Sequence, residues 1–535
     1  MRKPMRPVLT GTADRRSSRA LVGVGAVALV VALAGCDLAS VSSVSGDVVA
    51  TPTAPISYSG GDISDDGEVV VFSSTWAYDA ADTNGVRDVI VSNRNTGFQV
   101  RVSTAIGGGA PNASSSSPSV SGDGRFVAWH SASSDIVPGD SNGASDVFRL
   151  DTVAGVTERV SVSSAGIEAS GSSSQSSISS DGRFVAFGSS ASDLVPNDTN
   201  AQPDVFVRDM DLGTTTRWSL DATGAEGSRS SANPDISGDG TSVAFSTGSA
   251  LDPADTNGLL DVYLKDERGS ILWISRPASG RPADGPSIKP AVNEDGTVVA
   301  FNSDSSSFDE RDHNGDFDIY VWEGGAIELV SVTPDGEVGS GRTTTPSVDS
   351  SGNLVAFGSD SPELTDRAPS HQALVRNRQE GHSDLVSTSS TGEVGNGYDN
   401  LEAISGDGRS VLVLAQSNNL LPDDPNPGLD MVVKAYPFPR ITSVTPSVLL
   451  PGTTTTVTIE GKGFSGPVYV SLSPNPAAAV TTGGTRSVSP NLVRVNVTVP
   501  PGAAVHTHDL KVWNLGDHPD NSGAETTCYD CVQVG

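Results

Sequence analysis

The side chains best placed for chemistry are acids and amides in a recurring loop. The stretch "ADTNGVRDVIV" (81–91) sets Asp82, Asn84 and Asp88 around Gly85. It returns as "DSNGASDV" (Asp140, Asn142, Asp146), "DTNAQPDV" (198–205), "DTNGLLDV" (Asp255, Asn257, Asp261), "DHNGDFDI" (Asp312, Asn314, Asp318) and "DPNPGLDM" (424–431). The outer aspartates are always six apart, and a sixth copy breaks the pattern with Ala368 and Leu374. Two readings compete. An aspartate can accept backbone N–H groups as an Asx turn, Asn-Gly tolerates positive φ, and the last aspartate then caps a strand. A calcium site needs at least about six oxygens, and Asp, Asn, a carbonyl and Asp supply four or five. Only the fifth copy has a further acid two residues upstream, Glu310, where the others carry Ala80, Pro138, Pro196, Pro253 or Pro422. Calcium is therefore expected at a subset of loops at most, led by Glu310, Asp312, Asn314 and Asp318.

Other chemistry is thin. The seven histidines, at 130, 313, 371, 382, 506, 508 and 518, lie in no G-x-S-x-G elbow and no H-E-x-x-H. A glycosidase needs two carboxylates at about 5–10 Å, but with 57 acids across 36–438 the composition decides nothing. "GGGAP" (107–111) and "GSGR" (339–342) lack the strand-to-helix setting of a phosphate cradle.

The chain of 535 residues has a formal net charge of −31. Residues 1–35 hold six Lys/Arg and one acid, so the remaining 500 carry a net −36. Such a surface repels nucleic acid and anionic lipid headgroups and favours cations. The basic start, the apolar "LVGVGAVALVVALAG" (21–35) and the closing "LAGC" resemble a bacterial lipoprotein signal, which implies lipidation of Cys36 and a place on the outer side of a cell membrane. Cys528 and Cys531 remain, in "CYDC"; a disulfide is the simplest reading for an exported protein, and a zinc site with His506 and His508 is the alternative.

The body repeats. A turn glycine recurs at 67, 124, 182, 240, 296, 352 and 408, and five residues later comes Phe72, Trp129, Phe187, Phe245, Phe301, Phe357 and then Val413. Each unit of about 57 residues reads as four strands, and seven such units predict a β-propeller. The run "PSVSGDGRFVAW", followed by "SDVFRL", resembles the TolB-type, WD-like propeller repeats over roughly 56–436. That resemblance implies fold and leaves function open. The seventh repeat lacks a fourth strand, and residues 36–55, with "VSSVSGDVV" (41–49), are the expected source. From 437 to 535 the acid bias stops, and "PRITSVTPSVLLPGTTTTVTIEGKGF" resembles the IPT/TIG class of immunoglobulin-like domains. The expected fold is thus all-β: a lipoprotein signal (1–35), a seven-bladed propeller and a small sandwich. The expected function is non-catalytic binding or scaffolding, with an envelope protein or glycan as partner, no nucleic acid, and calcium as the one candidate cofactor. An exported carbohydrate- or peptide-active enzyme using the channel mouth is the alternative. Long 2–3 loops and blade connections share one face, which makes that face the better place for a large ligand.

Overall fold

A computed structural model describes residues 48–50, 58–364, 371–389, 393–421 and 428–436 of the repeat region. Further on it describes 440–462, 468–473, 481–489, 492–501, 506–514 and 525–534. Several of these later strands, and 48–50, are described by backbone alone.

The local rule is the Ser-x-Asp-Gly hairpin. Ser121 Oγ donates to Asp123 Oδ1 at 2.7 Å and accepts from Phe126 N at 2.9 Å, which locks the turn between the inner and second strands. Gly124 closes it at φ 71°, where a side chain would be strained. There is a second reason for glycine. A Cβ at Gly182 would lie 2.1 Å from the Phe126 ring of the preceding blade, and one at Gly352 would lie 2.6 Å from Val298 Cβ. The hairpin tip of each blade is thus also a joint to its neighbour.

Second strands such as Phe184–Ser189 are buried almost throughout, as their apolar runs require. The core is divided among the blade interfaces. One cluster joins Ile63, Val70, Phe72 and Ile90 of the first blade to Ala403, Leu412, Met431 and Val433 of the last. Another joins Val71, Val89 and Val102 to Val127, Trp129 and Phe148. Six blades are plain four-stranded meanders. The seventh is closed by Val48–Ala50, which pairs antiparallel with Asp430–Ala435. Sequence spacing placed the closing strand at 41–49; the pairing starts at its far end, with Val48 opposite Val432.

The C-terminal region forms two four-stranded sheets. Leu449, Val457, Ile459, Val470, Val493, Val495, Val497, Leu510 and Val512 fill the space between them, alternating in and out along Leu492–Thr498. Among the described residues no helix is long and apolar enough to cross a membrane.

Candidate functional site

Among the described residues, the acid–amide loops of blades 1 to 5 launch third strands, and their oxygens are largely committed to the protein. In blade 2 Asn142 Oδ1 accepts Ala144 N at 2.7 Å, and its amide donates to Ala169 O, across the connection to the next blade, at 2.9 Å. Asp146 accepts Ser161 Oγ at 2.5 Å. Blade 5 repeats this geometry. Asn314 bridges to Gly339 O at 2.8 Å and to Asp318 at 2.7 Å, and Asp318 accepts Ser331 Oγ at 2.6 Å. Blade 4 does so through Asn257 to Ala283 O and Ser275 to Asp261.

What neutralises the acids differs from blade to blade. In blade 2 the Arg159 guanidinium contacts Asp140 at 3.3 Å, Asp146 at 3.6 Å and Glu168 at 2.5 Å. Among the described residues those three acids are the group whose spacing suits a metal ion, and an internal cation sits on them. Arg217 does the same for Asp198, Asp204 and Glu226 in blade 3. In blades 4 and 5 the arginine position holds Trp273 and Leu329. There Tyr263 donates to Asp255 at 2.8 Å, Trp273 donates to Asp261 at 2.9 Å, and Tyr320 donates to Asp312. Burial pushes Asp146 up to about 6 and Asp318 up to about 7.

Glu310 is exposed, and no hydrogen bond or ion pair joins it to Asp312 among the described residues. The sixth blade's third strand begins at Gln372, two residues before the Leu374 that spacing suggested. Cys36 lies outside the described residues. Cys528 and Cys531 fall on the strand Glu525–Val534, and His506 and His508 on His506–Asn514; all four side chains lie outside the described set.

The central channel is a cavity of about 500 Å³ lined by the seven inner strands. Two of its acids tie blades together. Asp62 Oδ2 accepts Val120 N of the next blade at 2.9 Å. Asp235 accepts Val292 N of the next blade at 2.8 Å and Ser177 Oγ of the preceding one at 2.8 Å. Both touch channel solvent but are walled by protein, and burial pushes each up to about 6.

At the hairpin face a belt of hydrogen bonds runs from blade to blade. Asp65 N donates to Gly122 O, Gly122 N to Ser180 O, Ser180 N to Gly238 O, and Asp239 N to Glu294 O. The Asn293 amide then reaches Ser350 O, Ser350 N donates to Gly406 O, and Asp407 N returns to Asp65 O at 2.8 Å. The Asp65, Ser180 and Glu294 side chains fill this opening. A Cβ at Gly122 would fall 2.0 Å from Asp65 Oδ2, and one at Gly238 would fall 1.7 Å from Glu294 Oε2.

The opposite rim is built differently. The residue just before the inner strand is Ser114, Ser172 and Ser230 in blades 2 to 4 and Pro286 in blade 5, but Arg342 and Tyr398 in blades 6 and 7. Tyr398 is 49% exposed and lies flat on the buried His371 ring, with centroids 4.0 Å apart and planes 7° apart. His371 Nδ1 is 2.9 Å from Asp360 Oδ1. Gly358 leaves the space for it, since a Cβ there would lie 2.6 Å from His371 Nε2. Arg342 lies within electrostatic reach of both Tyr398 and Lys289. Lys289 Nζ donates to Thr345 at 3.0 Å and faces Glu402, which burial in the channel pushes up to about 7. Glu402 stands where four other blades have proline: Pro118, Pro234, Pro290 and Pro346. Sequence reading missed this rim. The signal was present as departures from the repeat at fixed positions.

The sequence pattern of the IPT/TIG domain matches residues 439–528. Those residues are an IPT/TIG domain. No curated protein matches the chain. Similar solved structures include dipeptidyl peptidase 4 of Porphyromonas gingivalis, at 14% identity over 75% of this chain and 57% of that one, TM-score 0.38. The GH74 xyloglucanase of Xanthomonas campestris is 10% identical over 78% of this chain and 59% of its own, TM-score 0.40. The Dos1 propeller is 11% identical over 73% of this chain and 92% of its own, TM-score 0.37. The chain therefore spans less than two thirds of the two enzymes' lengths.

Proposed function

We propose that the chain is a non-catalytic binding propeller, held to the outer side of a cell membrane through a lipid on Cys36, that takes a saccharide of the cell envelope at the long-loop rim of its channel. The observation that carries this reading is Tyr398: a half-exposed aromatic face held rigid by a buried histidine, on a rim where blades 2 to 5 place serine or proline. A rigid aromatic plane gives contact area at little entropic cost, and its face suits the apolar side of a sugar ring. Arg342 adds a cation beside it and Lys289 a second one next to Arg342 on the channel wall, in a strongly acidic protein, which selects a saccharide bearing an anionic group. Binding is favoured over catalysis because Asp62 and Asp235, the two acids on the inner strands besides Glu402 among the described channel-lining residues, are spent as staples between blades, and Asp65 and Glu294 stand at the hairpin face.

Two measurements test this. Cys36→Ser should lose acyl labelling and membrane retention; a mutant that stays on the membrane refutes the anchor. Calorimetry against acidic and neutral envelope saccharides should show binding of an acidic one. Tyr398→Ala and Arg342→Ala should each weaken it about tenfold or more, and Glu402→Gln should leave it intact. Binding that ignores Tyr398, or turnover of the saccharide that Glu402→Gln abolishes, would contradict the reading.

A further inference from the structure

Where the charge of the loop aspartates goes is a separate question, independent of what the channel rim binds. Blades 2 and 3 answer it with Arg159 and Arg217, and blades 4 and 5 with tyrosine hydroxyls donating to the first aspartate. Blade 1 has the arginine, Arg101, but it is turned elsewhere. Its guanidinium pairs with Asp79 at 3.0 Å and donates to Ser103 O at 3.0 Å and Gly109 O at 3.1 Å. Residue 110, which corresponds to Glu168 and Glu226, is alanine, so no acid draws the guanidinium into the loop.

Two carboxylates are left over. Asp88 is fully buried and Asp82 is 9% exposed, and the Oδ2 atom of each is buried without a hydrogen-bond partner. In blade 2 the equivalent Oδ2 atoms of Asp140 and Asp146 both face one guanidinium, so the paired slot is a feature of the repeat. Asp79 takes the direct contact with Arg101, whose single positive charge also acts through space on Asp82 and Asp88, so three carboxylates share one guanidinium and the slot keeps a net negative charge. Buried charge that is only partly compensated is unfavourable.

We propose that Asp82 and Asp88 hold a divalent metal ion between their free Oδ2 atoms, and that the ion is calcium. The donor set is all hard oxygen, with no histidine or cysteine, which selects calcium or magnesium over zinc. A loop rather than a rigid cage, with backbone carbonyls and water to complete the shell, suits the larger and less demanding calcium ion. The internal arginines exclude blades 2 and 3. The site thus moves from the fifth repeat, where Glu310 stands apart, to the first.

The test uses the full chain stripped with chelator. Trp76 and Tyr78, six and four residues before Asp82 and packed on each other at 4.6 Å, can sensitise bound terbium. Calcium in the millimolar range should raise the melting temperature, and terbium should luminesce through Trp76 and be displaced by calcium. Asp82→Asn and Asp88→Asn should each weaken calcium roughly tenfold or more and lose the terbium signal. Glu310→Gln should change neither. Both asparagine variants remove a buried charge at constant shape, so the metal-free forms should melt no lower than the parent. Trp76→Phe should dim terbium without altering the calcium response, a control that stands even if an aspartate variant misfolds. A parent with no calcium response overturns the proposal. So does a response that survives Asp82→Asn or disappears with Glu310→Gln.

Discussion

At the scale of single residues, the protein is a study in where buried acid finds compensation. Arg217 touches three carboxylates while itself 7% exposed, so removing it strands their charge. Arg217→Met should cost about 3–5 kcal/mol in chemical denaturation. A loss under about 1 kcal/mol would show that the acids reach water unaided. Asp235 makes a pH prediction. Its carboxyl is pushed up to about 6 by burial, so the folded protein keeps a proton that the unfolded chain releases near 4. Its stabilising share is complete below pH 4 and is lost as pH rises through 6. Asp62 and Asp146, also pushed up to about 6, and Glu402 and Asp318, pushed up to about 7, act in the same direction. Asp151, held down to about 2 first by Arg125, changes charge only in stronger acid. The melting temperature should therefore fall as pH rises from about 4 to about 7, the window those shifts define. Asp235→Asn, which can keep an acceptor for Val292 N, should flatten part of that slope. An unchanged slope would remove Asp235 from the account. The loop chemistry of Asp140, Asn142 and Asp146 was legible from turn preferences. Their arginine was not, because it sits on the outer strand, 13 residues beyond Asp146, and only the fold brings it in.

At the scale of elements, four strands per repeat and the turn glycines were readable because period and hairpin chemistry agree seven times over. Closure was readable only in outline: a missing strand implies a donor, but three residues with an irregular register leave little pattern to read. Beyond the Val48–Ala50 pairing that completes blade 7, blades 7 and 1 are joined by their shared apolar cluster, by the bond from Arg94 to Ser410 and by the belt bond from Asp407 to Asp65. Deleting 37–50 should therefore lower the melting temperature by only about 2–4 °C and leave a folded ring. Global unfolding would show that the belt carries little, and no change would make the segment a mere tether. The rim was invisible to a reading that sought sameness among repeats. Arg342, Tyr398 and Glu402 stand out only when each blade position is compared across the ring.

At the scale of the whole molecule, the two faces of the propeller have opposite characters. The hairpin face is tied by a continuous belt and filled by Asp65, Ser180 and Glu294, which suits strength rather than entry. The long-loop face carries the open rim with Tyr398, Arg342 and Lys289. A ligand-binding propeller needs that division, since a firm ring on one side holds the recognising side chains still on the other. Hydrogen exchange with and without an acidic envelope saccharide tests it most directly. The account predicts slowed exchange at 339–346 and 393–401, around Arg342 and Tyr398, and none at the hairpin tips around Gly67, Gly124, Gly182 and Gly240. Protection on the hairpin tips, or none on the rim at saturating saccharide, would contradict it.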